Sequence, residues 1–295
     1  ADAPLQPIVN RDRFTNLLNL IPAGLTINIE VKQKENGKTK TFKPALGVLS
    51  SEIPEQLPEP ASLKKALAGR PGAAVDPKGE KKKPQTGVIK RTTPSQDHQY
   101  QIYVPADYDP NIAHALVVWL HPAGKPKEKD KETEQIISAW EDFCMDNHII
   151  LLCPRAENET GWLGSETDFI HEAIQAVLAE YTIDRERIVA HGMGNGGQMA
   201  FYLGFHARDL IRAVATTGAA MNGQPKDNLA NERLAFFVVA GGRDPLSQAI
   251  AETRDKLQEH KFPVVYREIP EMGSQYLDAA TLHDLVRWID SLDRQ

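Results

Sequence analysis

The chain has 295 residues, with 34 Lys and Arg against 40 Asp and Glu, a formal net charge of −6. At about 150 residues per domain this length holds about two domains. Apolar residues make up 41% and charged residues 25%, which excludes a wholly disordered chain. The acidic balance argues against a nucleic-acid binder with its basic face, and no apolar run approaches the ~20 residues of a membrane helix. Cys144 and Cys153 are too few for a disulfide framework and lack metal-ligand spacing, so no metal and no cofactor is indicated.

Phe14, Leu17, Leu18 and Ile21 recur at helical spacing behind Asn10, an N-cap residue type, and predict a helix over 10–20. Pro22-Ala23-Gly24 ends it. Ile27, Ile29 and Val31 then alternate with Asn28, Glu30 and Lys32, a half-buried strand. Asn36-Gly37 supplies the hairpin signal, because both residues tolerate the positive φ of a tight turn. A second strand returns over 39–46. This order resembles the C-terminal half of a PDZ domain of bacterial trypsin-like PDZ proteases. The resemblance covers about 47 residues and implies that residues 1–50 are a partial PDZ-like segment of a longer protein. It also implies an envelope or secreted setting, and a peptide or protein partner.

Six prolines fall between Pro54 and Pro84, beside the run Lys78-Gly79-Glu80-Lys81-Lys82-Lys83. Proline has no amide donor and like charges repel, so neither favours a packed element. Residues 51–86 therefore read as a solvated linker, with one short helix over 61–67.

Beyond the linker, strand and helix patterns alternate. Strands are predicted at 100–104, 115–121, 149–154, 187–191, 211–216, 234–240 and 264–269. Helices are predicted at 132–147, 166–181, 196–206, 246–259 and 279–292. Near-continuous apolar runs such as Leu234-Ala235-Phe236-Phe237-Val238-Val239-Ala240 fit strands buried on both faces of a mostly parallel sheet. Residues 87–295 are thus predicted to be an α/β domain, doubly wound.

The segment from Arg187 to Ala200 runs from strand through Gly192-Met193-Gly194-Asn195-Gly196-Gly197 into a helix. A strand, a sharp glycine-rich turn and a helix are the setting of a nucleophile elbow, Gly-x-Ser-x-Gly. The first amides of such a helix point at whatever sits above the turn.

Residues 88–293 resemble α/β-hydrolases of the polyhydroxybutyrate-depolymerase, feruloyl-esterase and dienelactone-hydrolase-like group. The resemblance is carried by Asp168-Phe169-Ile170, by Tyr181-Thr182-Ile183-Asp184-Arg185-Glu186-Arg187-Ile188, and by the elbow segment through Ala200. It implies an α/β-hydrolase fold and a heritage of ester hydrolysis. It also places the triad. Gly194 stands where the nucleophilic serine belongs, and a glycine has no Oγ with which to form an acyl-enzyme. Asp244, in Gly241-Gly242-Arg243-Asp244-Pro245, fills the acid slot. Ser274 stands where the histidine belongs. The segment His121-Pro122-Ala123-Gly124 corresponds to the oxyanion loop, with Ala123 and Gly124 opposite Asn195 and Gly196 at the helix start. Trp162 lies in a loop that borders the pocket in the resembling group, or else packs as a core aromatic.

The remaining candidates read as structural. His121 is a loop anchor, His191 packs beneath the elbow, and His171 and His283 lie in helices without the partners a general base needs. Cys153 ends a buried strand as a small core residue. Asp244 without a histidine is either a turn residue ahead of Pro245 or a retained polar wall of the pocket.

Three functions follow as alternatives. The first is an inactive esterase-like domain that binds or scaffolds, with a small anion or ester-like ligand held at the helix start. The second is an active carboxylesterase-type hydrolase using a serine elsewhere, with Ser165, Ser247 and Ser274 available. The third is a peptide-interaction module acting through the PDZ-like part.

Overall fold

The computed structural model describes residues 8, 14, 17, 21, 25–32, 37–45, 84–93, 98–228 and 233–292. Most of the predicted helix over 10–20 lies outside them, although Phe14 and Leu17 are helical. The predicted helix over 61–67, and the linker up to residue 83, also lie outside them.

In the N-terminal segment, β1 (Ile29–Lys32) and β2 (Thr39–Phe42) pair antiparallel, with Ile29 opposite Phe42 and Lys32 opposite Thr39. Gly37 takes φ 65°, the left-handed conformation the Asn-Gly signal anticipates. The hairpin continues past the strands through Ile27 N–H, which donates to Pro44 O at 3.0 Å.

The remaining chain builds one eight-stranded sheet. Its strands are β3 (Gly87–Thr92), β4 (Gln99–Val104), β5 (His114–Leu120), β6 (Ile149–Pro154), β7 (Ile183–Met193), β8 (Ala213–Thr217), β9 (Ala235–Gly241) and β10 (Val264–Ile269). Their spatial order is β10-β9-β8-β7-β5-β6-β4-β3. All pairings from β6 to β10 are parallel, and β4 alone runs antiparallel to both its neighbours. The sheet is flanked by α1 (Pro126–Asp146), α2 (Thr167–Glu180), α3 (Asn195–His206), α4 (Ser247–Glu259) and α5 (Ala279–Ser291).

Alternation along each buried strand feeds two cores. In β5, Leu116, Val118 and Leu120 face α2, α3 and α4, where Phe169, Ala200 and Ile250 pack. Ala115, Val117 and Trp119 face α1 and α5, with Trp140 and Trp288. Full burial of each large apolar side chain here contributes about 1.5–3 kcal/mol, which is what holds the helices on the sheet.

Two element starts differ from the sequence expectation by four residues or more, and one strand is unpredicted. α1 begins at Pro126 rather than 132, because its first turn, Pro126-Lys127-Glu128, carries no apolar periodicity. Proline at the first helical position and Glu128 start it instead; the Glu128 carboxylate accepts from Lys125 N–H at 2.8 Å. β7 begins at Ile183 rather than 187. Between His114 and Leu116 of β5, the β7 register runs from Ile183 to Ile188, a bulge over Asp184-Arg185-Glu186. Buried Arg187 pins the bulge by donating to Asp184, Asp290 and Ala113 O. β3, which sequence reading leaves unassigned, closes the edge against β4.

Candidate functional site

The site lies at the C-terminal ends of β5, β7, β8 and β9, where parallel strands of an open α/β sheet place their ligands. β7 ends at Met193, and α3 starts at Asn195. Gly194 makes the turn between them at φ 55° and ψ −121°. The turn is fixed from both sides: Gly194 N–H donates to Thr217 O at 3.2 Å, and Gly194 O accepts from Gln198 N–H at 3.1 Å. The chain passes so close to β5 here that a Cβ on Gly196 would stand 1.9 Å from Leu120 O. A Cβ on Gly194 would meet only Pro122 Cβ, at 3.7 Å. The elbow therefore keeps its backbone shape and has room for a side chain at its apex.

Asp244 lies in the loop that follows β9. Asp244 is 4% exposed. Its Oδ1 accepts from Leu246 N–H at 2.8 Å, and its carbonyl accepts from Ser247 N–H at 2.9 Å, so it does shape the turn into α4. Its Oδ2 is buried with no hydrogen-bond partner. The loop after β10 is stitched to this one by Gly242 N–H to Ile269 O at 2.8 Å and Arg243 N–H to Met272 O at 2.9 Å. Ser274 is exposed on that second loop. Topology thus brings the positions of Gly194, Asp244 and Ser274 to one end of the sheet. Among the described residues, none of Ser165, Ser247 and Ser274 hydrogen-bonds a histidine.

The loop after β5 divides its roles. His121 is buried, with Nδ1 on Pro122 O at 2.7 Å and Nε2 accepting from Ala156 N–H at 3.0 Å. Both ring nitrogens are occupied, and burial pulls the imidazole down to about 4, so it is a neutral anchor. Gly124 N–H is spent on Glu159 O at 2.9 Å and is not aimed at the elbow. The amides of Ala123, Asn195 and Gly196 have no acceptor among the described residues.

Trp162 is 6% exposed and locks the 156–166 loop onto the elbow. Its Nε1–H donates to His121 O at 2.8 Å, and its backbone N–H donates to Asn195 Oδ1 at 2.6 Å. Asn195, read from sequence only for its amide, thus also supplies a side-chain tie. Buried Glu166 accepts from Glu157 and Leu163 N–H, and Lys129 Nζ reaches Ala156 O and Asn158 O. Sequence reading misses both, since charged residues in a helix register as solvated.

Beneath the elbow, His191 Nδ1–H donates to Ala215 O at 3.0 Å, and Nε2 accepts from Tyr276 O–H at 2.8 Å. Tyr276 in turn accepts from Trp140 Nε1–H at 2.8 Å. Burial pulls His191 down to about 4 and raises the Tyr276 hydroxyl. Both thiols, Cys144 and Cys153, are buried, and burial raises them as well. Among the described residues no group of three His, Cys, Asp or Glu side chains is placed to hold a metal ion. No helix among them is long and apolar enough to cross a membrane.

No protein-family model matches the chain. Over 154 residues it is 25% identical to a probable feruloyl esterase C of Aspergillus niger, a match covering 50% of this chain and 55% of that protein. The chain thus spans about half the length of this curated relative. A solved ferulic acid esterase superposes with a TM-score of 0.55 at 17% identity, over 71% of this chain and 99% of its own. A ferulic acid esterase of Anaeromyces mucronatus superposes at 0.52 and 16% identity, over 75% of this chain and 94% of its own. A fluorophosphonate-binding serine hydrolase of Staphylococcus aureus superposes at 0.51 and 12% identity, over 69% and 97%. The domain has the α/β-hydrolase fold. In this α/β-hydrolase domain, β4 is the single antiparallel strand and Gly194 makes the turn between β7 and α3.

Proposed function

We propose that the α/β-hydrolase domain descends from esterases, has lost their catalysis, and acts as a binding or scaffolding unit. The observation that carries this reading is Gly194 itself. It holds the backbone of the elbow, with space above it, and offers no atom that can attack a carbonyl. Ser274 at the histidine position is a second, independent loss, and either alone would disable the Ser-His-Asp chemistry. The buried, unpartnered Oδ2 of Asp244 is what a triad acid looks like when its histidine is gone. In this reading the segment 1–50 and the linker 51–86 tether the domain to a peptide or protein partner, or to a PDZ-containing parent chain.

Hydrolysis of short-chain p-nitrophenyl esters tests the reading. The wild-type chain is expected to show no turnover above buffer. The double variant Gly194→Ser with Ser274→His, which completes the triad with Asp244, is expected to gain at least about a hundredfold, the low end of what a positioned base contributes. Wild-type turnover that disappears in Asp244→Asn would overturn it.

A further inference from the structure

α1 packs against β6 and leaves a groove of about 450 Å³ beside it, over β4 and β3. This volume lies inside the roughly 300–1,000 Å³ of small-ligand sites. The floor is a row across three strands: Lys90 of β3 stands opposite Gln101 of β4, which stands opposite Cys153 of β6. Residues directly opposite share a sheet face, and Cys153 packs in the core beneath α1. The helix closes one side with Asp130, Thr133 and Glu134. Some of these polar groups are already spent. Arg155 Nη1–H donates to Gln99 Oε1 at 3.1 Å and lies 3.3 Å from Asp130 Oδ1, so its charge is balanced. Thr133 Oγ1–H donates to Lys129 O at 2.9 Å. By contrast, the side chains of Lys90, Gln101 and Glu134 make no hydrogen bond or ion pair among the described residues. The groove thus carries a cation on β3 and an anion on α1 that do not pair with each other, with a carboxamide on β4 between the two elements.

We propose that this groove binds a zwitterion of dipeptide size, with its carboxylate on the Lys90 ammonium, its ammonium on the Glu134 carboxylate and its peptide group on the Gln101 carboxamide. A carboxamide both donates and accepts, which matches a peptide N–H and C=O. A ligand with a single charge meets its like on one side of the groove, whereas a zwitterion meets the opposite charge on both. Lys90 stands two strand spacings from Cys153 under the helix, roughly 10 Å. Two extended residues span roughly 7 Å, and the long Lys90 and Glu134 side chains close the remainder. The groove shares no residue with the Gly194 turn or with the loops that hold Asp244 and Ser274, so the proposal stands whether or not the domain hydrolyses esters.

The dipeptide alanylalanine, titrated into ¹⁵N-labelled full-length chain near neutral pH, tests it. The expected result is saturable shifts in the millimolar range at the Thr92, Gln101 and Glu134 backbone amides and at the Gln101 side-chain amide. N-acetyl-alanylalanine keeps only the carboxylate, and alanylalaninamide keeps only the ammonium. Each is expected to bind about three- to fivefold more weakly, the upper share of one exposed ion pair. Lys90→Gln and Glu134→Gln are expected to weaken alanylalanine by the same factor. Both positions are exposed, and a thermal melt shows that the variants are folded. Equal affinity for the dipeptide and its capped forms, equal affinity in wild type and Glu134→Gln, or no saturable shift at these amides would overturn the proposal.

Discussion

At Gly194 the backbone adopts φ 55° and ψ −121°, a sparsely populated region where an L-residue costs about 1–3 kcal/mol. At Gly196 the constraint is contact instead, with Leu120 O where a Cβ would stand. The two glycines therefore respond differently to the same change. Gly194→Ala is expected to cost about 1–3 kcal/mol, because only conformational strain opposes it. Gly196→Ala is expected to cost about 3 kcal/mol or more, because α3 must move off β5. Urea denaturation of both variants checks the order, and the reverse order would contradict the steric account. The glycine pattern at 192, 194, 196 and 197 was legible in sequence as an elbow. The side-chain roles of Asn195 and Trp162 were not, because their partnership joins residues 33 positions apart and follows no local period.

At the scale of elements, the loop after β10 is placed by Tyr276 rather than by a catalytic histidine. Its hydroxyl stands between Trp140 of α1 and His191 of β7. Tyr276→Phe strands the indole N–H and the imidazole Nε2 together, each costing about 1–3 kcal/mol when left buried and unpaired. Trp140→Phe removes one donor and leaves the Tyr276–His191 bond. Tyr276→Phe is thus expected to destabilise more than Trp140→Phe in chemical denaturation, and equal losses would argue against a network centred on the hydroxyl. Sequence reading located most strands and helices because β5, β6 and β9 are apolar runs. It shortened α1 and β7 where charged stretches begin them, and it left β3 unassigned because Gly87-Val88-Ile89-Lys90-Arg91-Thr92 is an edge strand with polar neighbours.

At the scale of the whole molecule, three buried histidines make folding sensitive to acid. Burial pulls His114, His121 and His191 each from the usual 6.5 down to about 4. Between about pH 6.5 and 4 the unfolded chain binds more protons than the folded one, so stability rises with pH across this window. The same stability is lost as pH falls from 6.5 toward 4. The urea midpoint is expected to drop steadily over that range, and His191→Gln to flatten the slope by one proton's share. A level profile would contradict the neutral, anchored roles given to these rings.

The functional reading stands on the strand–turn–helix at Gly194, whose apex has no side chain to act as a nucleophile. Intact-mass analysis after incubation with a fluorophosphonate probe tests this most directly, because the probe reports an activated serine wherever it lies. No adduct is expected on the wild-type chain, and one adduct is expected on the introduced serine of the Gly194→Ser, Ser274→His double variant. A stoichiometric adduct on Ser165, Ser247 or Ser274 of the wild-type chain would contradict it.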